Sequence, residues 1–343
     1  MILWKPMEGT AMRKKLNIGI VGAGKIVWDF HLPLLSCLDN VKIKYIADVR
    51  DIKEIAKSYK AVAIKVDDDP SILPDCDIVL LATPVGVREP YIQEFGKREI
   101  PIFSEKPFAA NLEAHKKFLK LTNRVTCNYM KIYYSSVRQM KEIISSGIFG
   151  RLRKIVICQY NSLRRTGKPK DHYQTNLALS GGGILIEKGC HTLSQLMYIL
   201  GDCDFVIREA YGVWLHELDF HIQTVFDVIN NDRIVRVEFT ISYLRPSNTF
   251  SKFIFDTAEV MFNHASPDVL RIKSRSNSKG DGFLIAPNKR WATTQYQAFY
   301  LKWKDFIDKI LIEKPINTAS ETSIKTTELI TEIYKKAERE ERK

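Results

Sequence analysis

The stretch LNIGIVGAGKIV, residues 16–27, runs an uncharged, mostly apolar segment into two glycines spaced two apart. A strand of this kind is buried on both faces, and the glycines allow a sharp turn into a helix. The pattern recurs along the first half. IKYIAD, CDIVLLAT, IPIFSE and RVTCNYM are further short apolar runs, separated by helix-period segments such as LEAHKKFLKLT. Strand–helix alternation over more than 100 residues predicts an α/β fold, a Rossmann-type doubly wound parallel sheet.

Gly22 and Gly24 match the first two glycines of a G-x-G-x-x-G turn, and Val27 stands at the third. The first glycine makes the turn, and the second lets a pyrophosphate approach the backbone at a helix start. The cofactor contacts expected of this turn are Gly22, Gly24, Lys25 and Ile26. Val27 is bulkier than the usual Gly or Ala, which would set helix and strand slightly apart. Asp48 ends the second run, 48 − 27 = 21 positions after the motif closes. A carboxylate there suits a ribose 2′-hydroxyl and repels a 2′-phosphate, which predicts NAD. Arg50 could pair with that phosphate instead and admit NADP. Thr83 and Pro84 follow the next strand, at the sheet end where ligands of open α/β sheets bind.

Beyond Leu152 the plan changes. RKIVICQY, FVIREAYGVWLHE, FHIQTVFDVI, RIVRVEFTISY and SKFIFDTAEVMF are rich in β-branched and aromatic residues. Val235, Val237, Phe239 and Ile241 alternate with Arg236, Glu238 and Thr240, as on an antiparallel strand with one wet face. The second domain is therefore expected to be α+β, with a large, mostly antiparallel, open-faced sheet. The expected division is a tail at 1–14, a dinucleotide-binding domain at 15–128 and a substrate-binding and oligomerisation domain at 129–343. Two helical segments close the chain, and the last is expected to pack back on the first domain. An open sheet face predicts a homodimer or homotetramer.

The 343 residues suffice for two domains, and no apolar run approaches the roughly 18–20 residues that span a bilayer. The formal charge of 52 − 40 = +12 is dispersed among acidic residues, with no basic–aromatic stripe, so no nucleic acid is expected. Six scattered cysteines without a CxxC pair suit free thiols in a cytoplasmic protein.

GGGILIEKGCH, residues 181–191, places three glycines before Glu187 and His191, which lie four apart on one helix face. Leu193, Leu196, Met197 and Leu200 follow at core spacing. A Glu–His pair can ligate metal, but no third ligand is evident and no metal is expected.

SEKPF at a strand end, the glycine run leading into an acid-x-x-x-His pair, the apolar helix ending in LG and the crossover CNYMKIYYSSVRQMKEIISSGIFGRLRKI together resemble one family. It is that of the glucose–fructose oxidoreductase, inositol dehydrogenase and MocA oxidoreductases, and the likeness spans Leu16 to Ala337. The resemblance implies NAD or NADP as cofactor, with Glu105 and Lys106 beside it. The expected substrate is a sugar, polyol or nucleotide-linked sugar. Lys106 would hydrogen-bond the substrate oxygen and His191 would move its proton. Glu187 would orient His191 or grip a neighbouring hydroxyl. Two positions depart from the family: Glu187, where Asp is usual, and Ser194, where Asp is frequent.

In this family the stretch corresponding to NSLRRTGKPKDHYQTN borders the substrate. Arg164, Arg165, Lys168 and Tyr173 are the expected substrate contacts, and the cations suggest an anionic ligand. Two other functions fit the same residues: a redox-neutral lyase or glycosidase that retains NAD, and a non-catalytic dinucleotide-binding regulator.

Overall fold

The computed structural model describes residues 15–67, 69–162, 172–230, 233–244, 248–267, 269–275, 283–316 and 320–342. Residues 1–14, read above as a tail, lie outside this set, as do Arg164, Arg165 and Lys168.

Six strands form a wholly parallel sheet: β1 (Leu16–Val21), β2 (Val41–Asp48), β3 (Val62–Lys65), β4 (Ile78–Leu81), β5 (Ile102–Ser104) and β6 (Val125–Cys127). Their order is β3-β2-β1-β4-β5-β6, which makes the β1/β4 boundary the switch point of the fold. β1 and β4 are buried along almost their whole length, as their uncharged sequences require. β3 escaped the sequence reading because it is a half-exposed edge strand whose apolar run, Ala61–Ile64, is only four residues long.

The second sheet has nine strands. They are β7 (Leu152–Tyr160), β8 (Asp204–Leu215), β9 (Leu218–Asn230), β10 (Arg233–Ser242), β11 (Phe250–Phe255), β12 (Ala258–Phe262), β13 (Leu270–Ser274), β14 (Phe283–Ile285) and β15 (Glu338–Arg342). The order is β14-β13-β12-β11-β7-β10-β9-β8-β15, antiparallel except at β7/β10 and β8/β15. The expected alternation holds in β10, where Val237, Phe239 and Ile241 face the core. On the outer face Lys154 pairs with Glu238 at 2.6 Å and Lys252 with Glu259 at 3.9 Å. After the last helix the described chain ends in β15, a strand that follows the two closing helical segments. EREER pairs in parallel with β8 because its charged side chains remain in water while only its backbone joins the sheet.

Two long helices, Gln295–Leu311 and Ser320–Lys336, close the described chain and pack against both sheets' neighbours. The last one meets the first domain at Thr331, which accepts from Leu112 N–H at 3.0 Å, and at Thr327, 2.8 Å from His115 Nδ1. The preceding one inserts Trp303 against Phe103, stacked at 3.9 Å between ring centroids. Among the described residues, no helix is long and apolar enough to cross a membrane.

Candidate functional site

The turn after β1 is shaped by backbone demands. Gly22 has φ +90°, and a Cβ there would meet the Ala82 carbonyl at 2.8 Å. Gly24 faces the opposite situation: a Cβ would meet nothing within 4 Å. The loop is therefore closed on the sheet side and open on the outside, as a pyrophosphate requires. The following helix accommodates Val27, which is fully buried, by opening into a wide π turn over Val27–His31. Lys25 is exposed and ion-paired to Asp29 at 2.7 Å, and Ile26 packs on the core.

Asp48 lies at the end of β2, next to this loop, but its oxygens are already engaged. Ala23 N–H donates to one at 2.6 Å, and Arg50 donates through its backbone N–H, Nε and Nη2 at 2.8–3.0 Å. Burial opposes the charge, yet these donors outweigh it and hold the carboxyl below its ordinary range. Arg50 neutralises Asp48 and keeps its own side chain 63% exposed. Thr83, at the end of β4, has a buried hydroxyl with no partner. Pro84 leads into a short turn.

The segment carrying Lys106 is held from all sides. Glu105 is buried and accepts from His31 at 2.8 Å, Asn128 Nδ2 at 2.5 Å and Lys106 N–H at 3.2 Å. Trp303 Nε1 can only donate, and it lies 2.9 Å from His31 Nδ1. His31 therefore accepts at Nδ1 and carries its proton on Nε2, facing Glu105. Burial pushes the Glu105 carboxyl up, but His31, Asn128 and Lys106 together bring it below its usual value. Arg88, buried despite its charge, donates to Thr83 O, Glu105 O and Pro107 O and so ties the loop to β4. The Lys106–Pro107 bond is cis.

The second domain presents its side of the site from the glycine run. Gly181 and Gly182 have φ +75° and +157°, and a Cβ on Gly183 would strike Asp219. Asp219 clasps the start of the helix, accepting from Gly183 N–H at 2.5 Å, Leu185 N–H at 2.8 Å and Tyr334 OH at 2.7 Å. A second π turn, Leu185–Gly189, carries Glu187 and leads into the helix Cys190–Leu200 with His191. Widened turns of this sort recur at functional sites. Leu193, Leu196 and Met197 are buried as their spacing predicts.

These two halves meet where Lys106 Nζ donates to the Glu187 carbonyl at 3.0 Å. Burial works against the Lys106 charge, but the Glu105 and Glu187 carboxylates act against burial, and the ammonium is held above its ordinary value. His191 is driven the other way, well below its ordinary value, by burial and then by Lys106, Lys131 and Lys188. It is neutral, and its buried Nδ1 has no hydrogen-bond partner among the described residues. The orienting bond expected from Glu187 to His191 is thus not made at Nδ1. Glu187 instead accepts from Gln174 at 2.9 Å and Tyr243 OH at 3.0 Å, and Lys188 Nζ lies 3.3 Å away. The carboxylate is drawn toward the sheet, where β10 ends beside Tyr243.

Tyr173 is 43% exposed and lies near Lys106. Tyr129, whose buried hydroxyl has the Cys127 thiol beside it, faces His191 edge-on at 6.3 Å. Sequence reasoning missed Tyr129, Lys131, Lys188, Tyr243, Asp219, Arg88 and His31. Tyr129 and Lys131 lay inside the crossover motif and Lys188 inside the glycine-run motif, whereas the others carried no local signal.

Two family models cover most of the chain. Residues 16–133 match an oxidoreductase family described as having an NAD-binding Rossmann fold, and residues 137–280 match the GFO/IDH/MocA C-terminal domain. The chain belongs to the GFO/IDH/MocA oxidoreductase family. The chain is similar to a D-glucoside 3-dehydrogenase of Escherichia coli, 25% identical over 57% of this chain and 57% of that one. An inositol 2-dehydrogenase/D-chiro-inositol 3-dehydrogenase of Lacticaseibacillus casei is 26% identical over 88% of this chain and 86% of its own. The chain spans under two thirds of the first curated relatives it matches, 57% to 61% of their lengths. Among solved structures, a 3-ketoreductase from Actinomadura kijaniata in complex with NADP and TDP-benzene superposes with a TM-score of 0.81. That match covers 96% of this chain and 100% of the other at 16% identity, and so establishes the shared fold.

Proposed function

We propose that this chain is an NAD(P)-dependent oxidoreductase acting on a CH–OH carbon of a sugar, polyol or nucleotide-linked sugar. The observation that carries the reading is the meeting of charged Lys106 and neutral His191 at the junction of the two sheets' domains. A bound nicotinamide supplies or receives the hydride.

Lys106 is the cation suited to hydrogen-bond the reacting oxygen and stabilise its negative charge as the proton leaves. His191 is the neutral base that takes the hydroxyl proton during oxidation and returns it during reduction. Glu187, held by Gln174 and Tyr243, presents a carboxylate edge for a neighbouring substrate hydroxyl. Gly22, Gly24, Lys25 and Ile26 form the pyrophosphate side of the cofactor site. The unpartnered Thr83 hydroxyl and Asn128 Oδ1 are suited to polar groups of the nicotinamide half. Because Arg50 already neutralises Asp48, the repulsion that would exclude a 2′-phosphate is weakened, and both NAD and NADP are expected to bind. Tyr173, with Arg164, Arg165 and Lys168 outside the described residues, is assigned to the substrate side.

The test is a pair of fluorescence titrations with NADH and NADPH, followed by turnover assays with sugars and polyols. Nucleotide binding with steady cofactor reduction is the expected result. Product formation without net cofactor turnover would identify the NAD-retaining lyase or glycosidase instead. Binding that is accompanied by no chemistry, and indifferent to Lys106→Ala and His191→Ala, would identify a regulator.

A further inference from the structure

Lys131 stands in the short turn Met130–Tyr133 that follows β6, packed against the helix of His191. The described structure gives its ammonium no hydrogen bond and no ion pair, although the residue is half-buried. The groups acting on it are Lys106, Lys188 and the Cys190 thiol. Burial, then the two like charges, lowers its pKa to about 8. None of these neighbours is a counterion. The Cys190 thiol is itself raised by burial and so stays protonated. His191 and His264, on which Lys131 acts in turn, are both held neutral.

A cation desolvated among cations, with no carboxylate beside it among the described residues, is a costly arrangement unless a further group supplies the missing charge. His264, on which the Lys131 charge acts, and Gln195, which is bonded to it, carry polar atoms that are also unsatisfied among the described residues. Gln195 follows His191 by one helical turn on the same face and is buried. Its amide N–H is taken by the His264 carbonyl at 3.1 Å, leaving Oε1 without a donor. His264 is buried too, and its Nε2 lacks a partner. A single unpaired cation matches a single negative charge, and a free amide oxygen matches a hydroxyl donor. Phosphate dianions are more often held by Arg forks, and among the described residues no arginine acts on Lys131.

Building on the proposed function, we infer that Lys131 is an anion subsite beside His191, and that the sugar taken there carries a carboxylate on the reacting ring. The substrate class is a sugar acid of the hexuronate type, bound by its carboxylate at Lys131 and by its hydroxyls toward Gln195 and His264.

The experiment measures quenching of bound NADH by matched pairs, D-glucuronate against D-glucose and D-galacturonate against D-galactose, with glucose 6-phosphate as a third arm. At pH 7 a uronate is expected to bind at least about tenfold more tightly than its hexose. Lys131→Met should erase that ratio, Lys131→Arg should keep it, and NADH affinity in both variants reports that the fold is intact. Raising the pH through about 8 should weaken uronate binding as the ammonium is lost, while hexose binding changes less. Equal binding of the paired sugars, a preference that survives Lys131→Met, or tighter binding of the phosphate would each overturn the inference. Hexose oxidation without any uronate preference would sink the subsite and leave the oxidoreductase reading standing. Uronate binding through Lys131 with no cofactor turnover would do the reverse.

Discussion

The loop of Lys106 and the helix of His191 touch at one hydrogen bond, yet they are built on opposite terms. Around Lys106 the structure is closed. Glu105, His31, Trp303, Asn128 and Arg88 are joined by hydrogen bonds, and among the described residues only Asn128 Oδ1 and the Thr83 hydroxyl beside them are left for a cofactor. Around His191 it is open: among the described residues His191 Nδ1, Gln195 Oε1 and His264 Nε2 all lack partners. Buried polar groups normally find hydrogen bonds, so an unsatisfied cluster marks the side where a ligand completes the structure. The lysine is fixed by the protein, and the histidine side waits for substrate.

The sharpest test of this contrast is His191→Asn. Loss of a general base should lower kcat by about 10²–10⁴-fold while NADH affinity changes little, as single-turnover and binding assays would show. If nucleotide affinity falls in step with kcat, His191 belongs to the closed region. The wild-type pH profile sharpens the same point. A base whose pKa is depressed stays neutral to lower pH, so kcat/KM should persist below the ordinary histidine range near 6.5. Lys106→Met should reduce kcat/KM by about 10²–10³-fold, again with nucleotide binding largely retained.

Stability should divide the other way. His31→Phe removes the donor facing a buried carboxylate and should cost about 3 kcal/mol in denaturant unfolding. Tyr243→Phe, on the open side, should cost about 1 kcal/mol and act mainly on KM. Comparable losses for the two would erase the distinction. Acid unfolding adds a sign. Glu105 is held below its unfolded value, so its contribution is present above about pH 4.3 and lost as pH falls through the folded pKa. Glu105→Gln should flatten that limb. The smallest expected effect on stability is that of Gly24→Ala, where the added methyl meets open space. Unfolding should change by no more than about 0.5 kcal/mol, while the dinucleotide Kd rises.

Much of this was written in short-range pattern. Buried parallel strands announce themselves as apolar runs, and the glycines at 22, 24 and 181–183 occupy places where the backbone turns or space is absent. Lys106 and His191 were legible through the motifs around them. What pattern could not carry was pairing across distance. His31 finds Glu105 across 74 residues, Glu187 finds Tyr243 across 56, and Asp219 reaches Gly183 across 36. No periodicity encodes such partners. β15 was hidden for another reason, since a strand whose side chains are all charged looks like a solvated tail.

The bond from Trp303 to His31 joins residues 272 apart in the chain. A ribosome adding about 5–20 residues per second would take roughly 15–55 s to travel that interval. Until then the nascent nucleotide-binding half has all six of its strands but leaves His31 without its indole donor and Phe103 without its stacking partner. The half made first is thus finished by a helix made near the end. Its final consolidation is a late event in synthesis, tied to delivery of the distal chain.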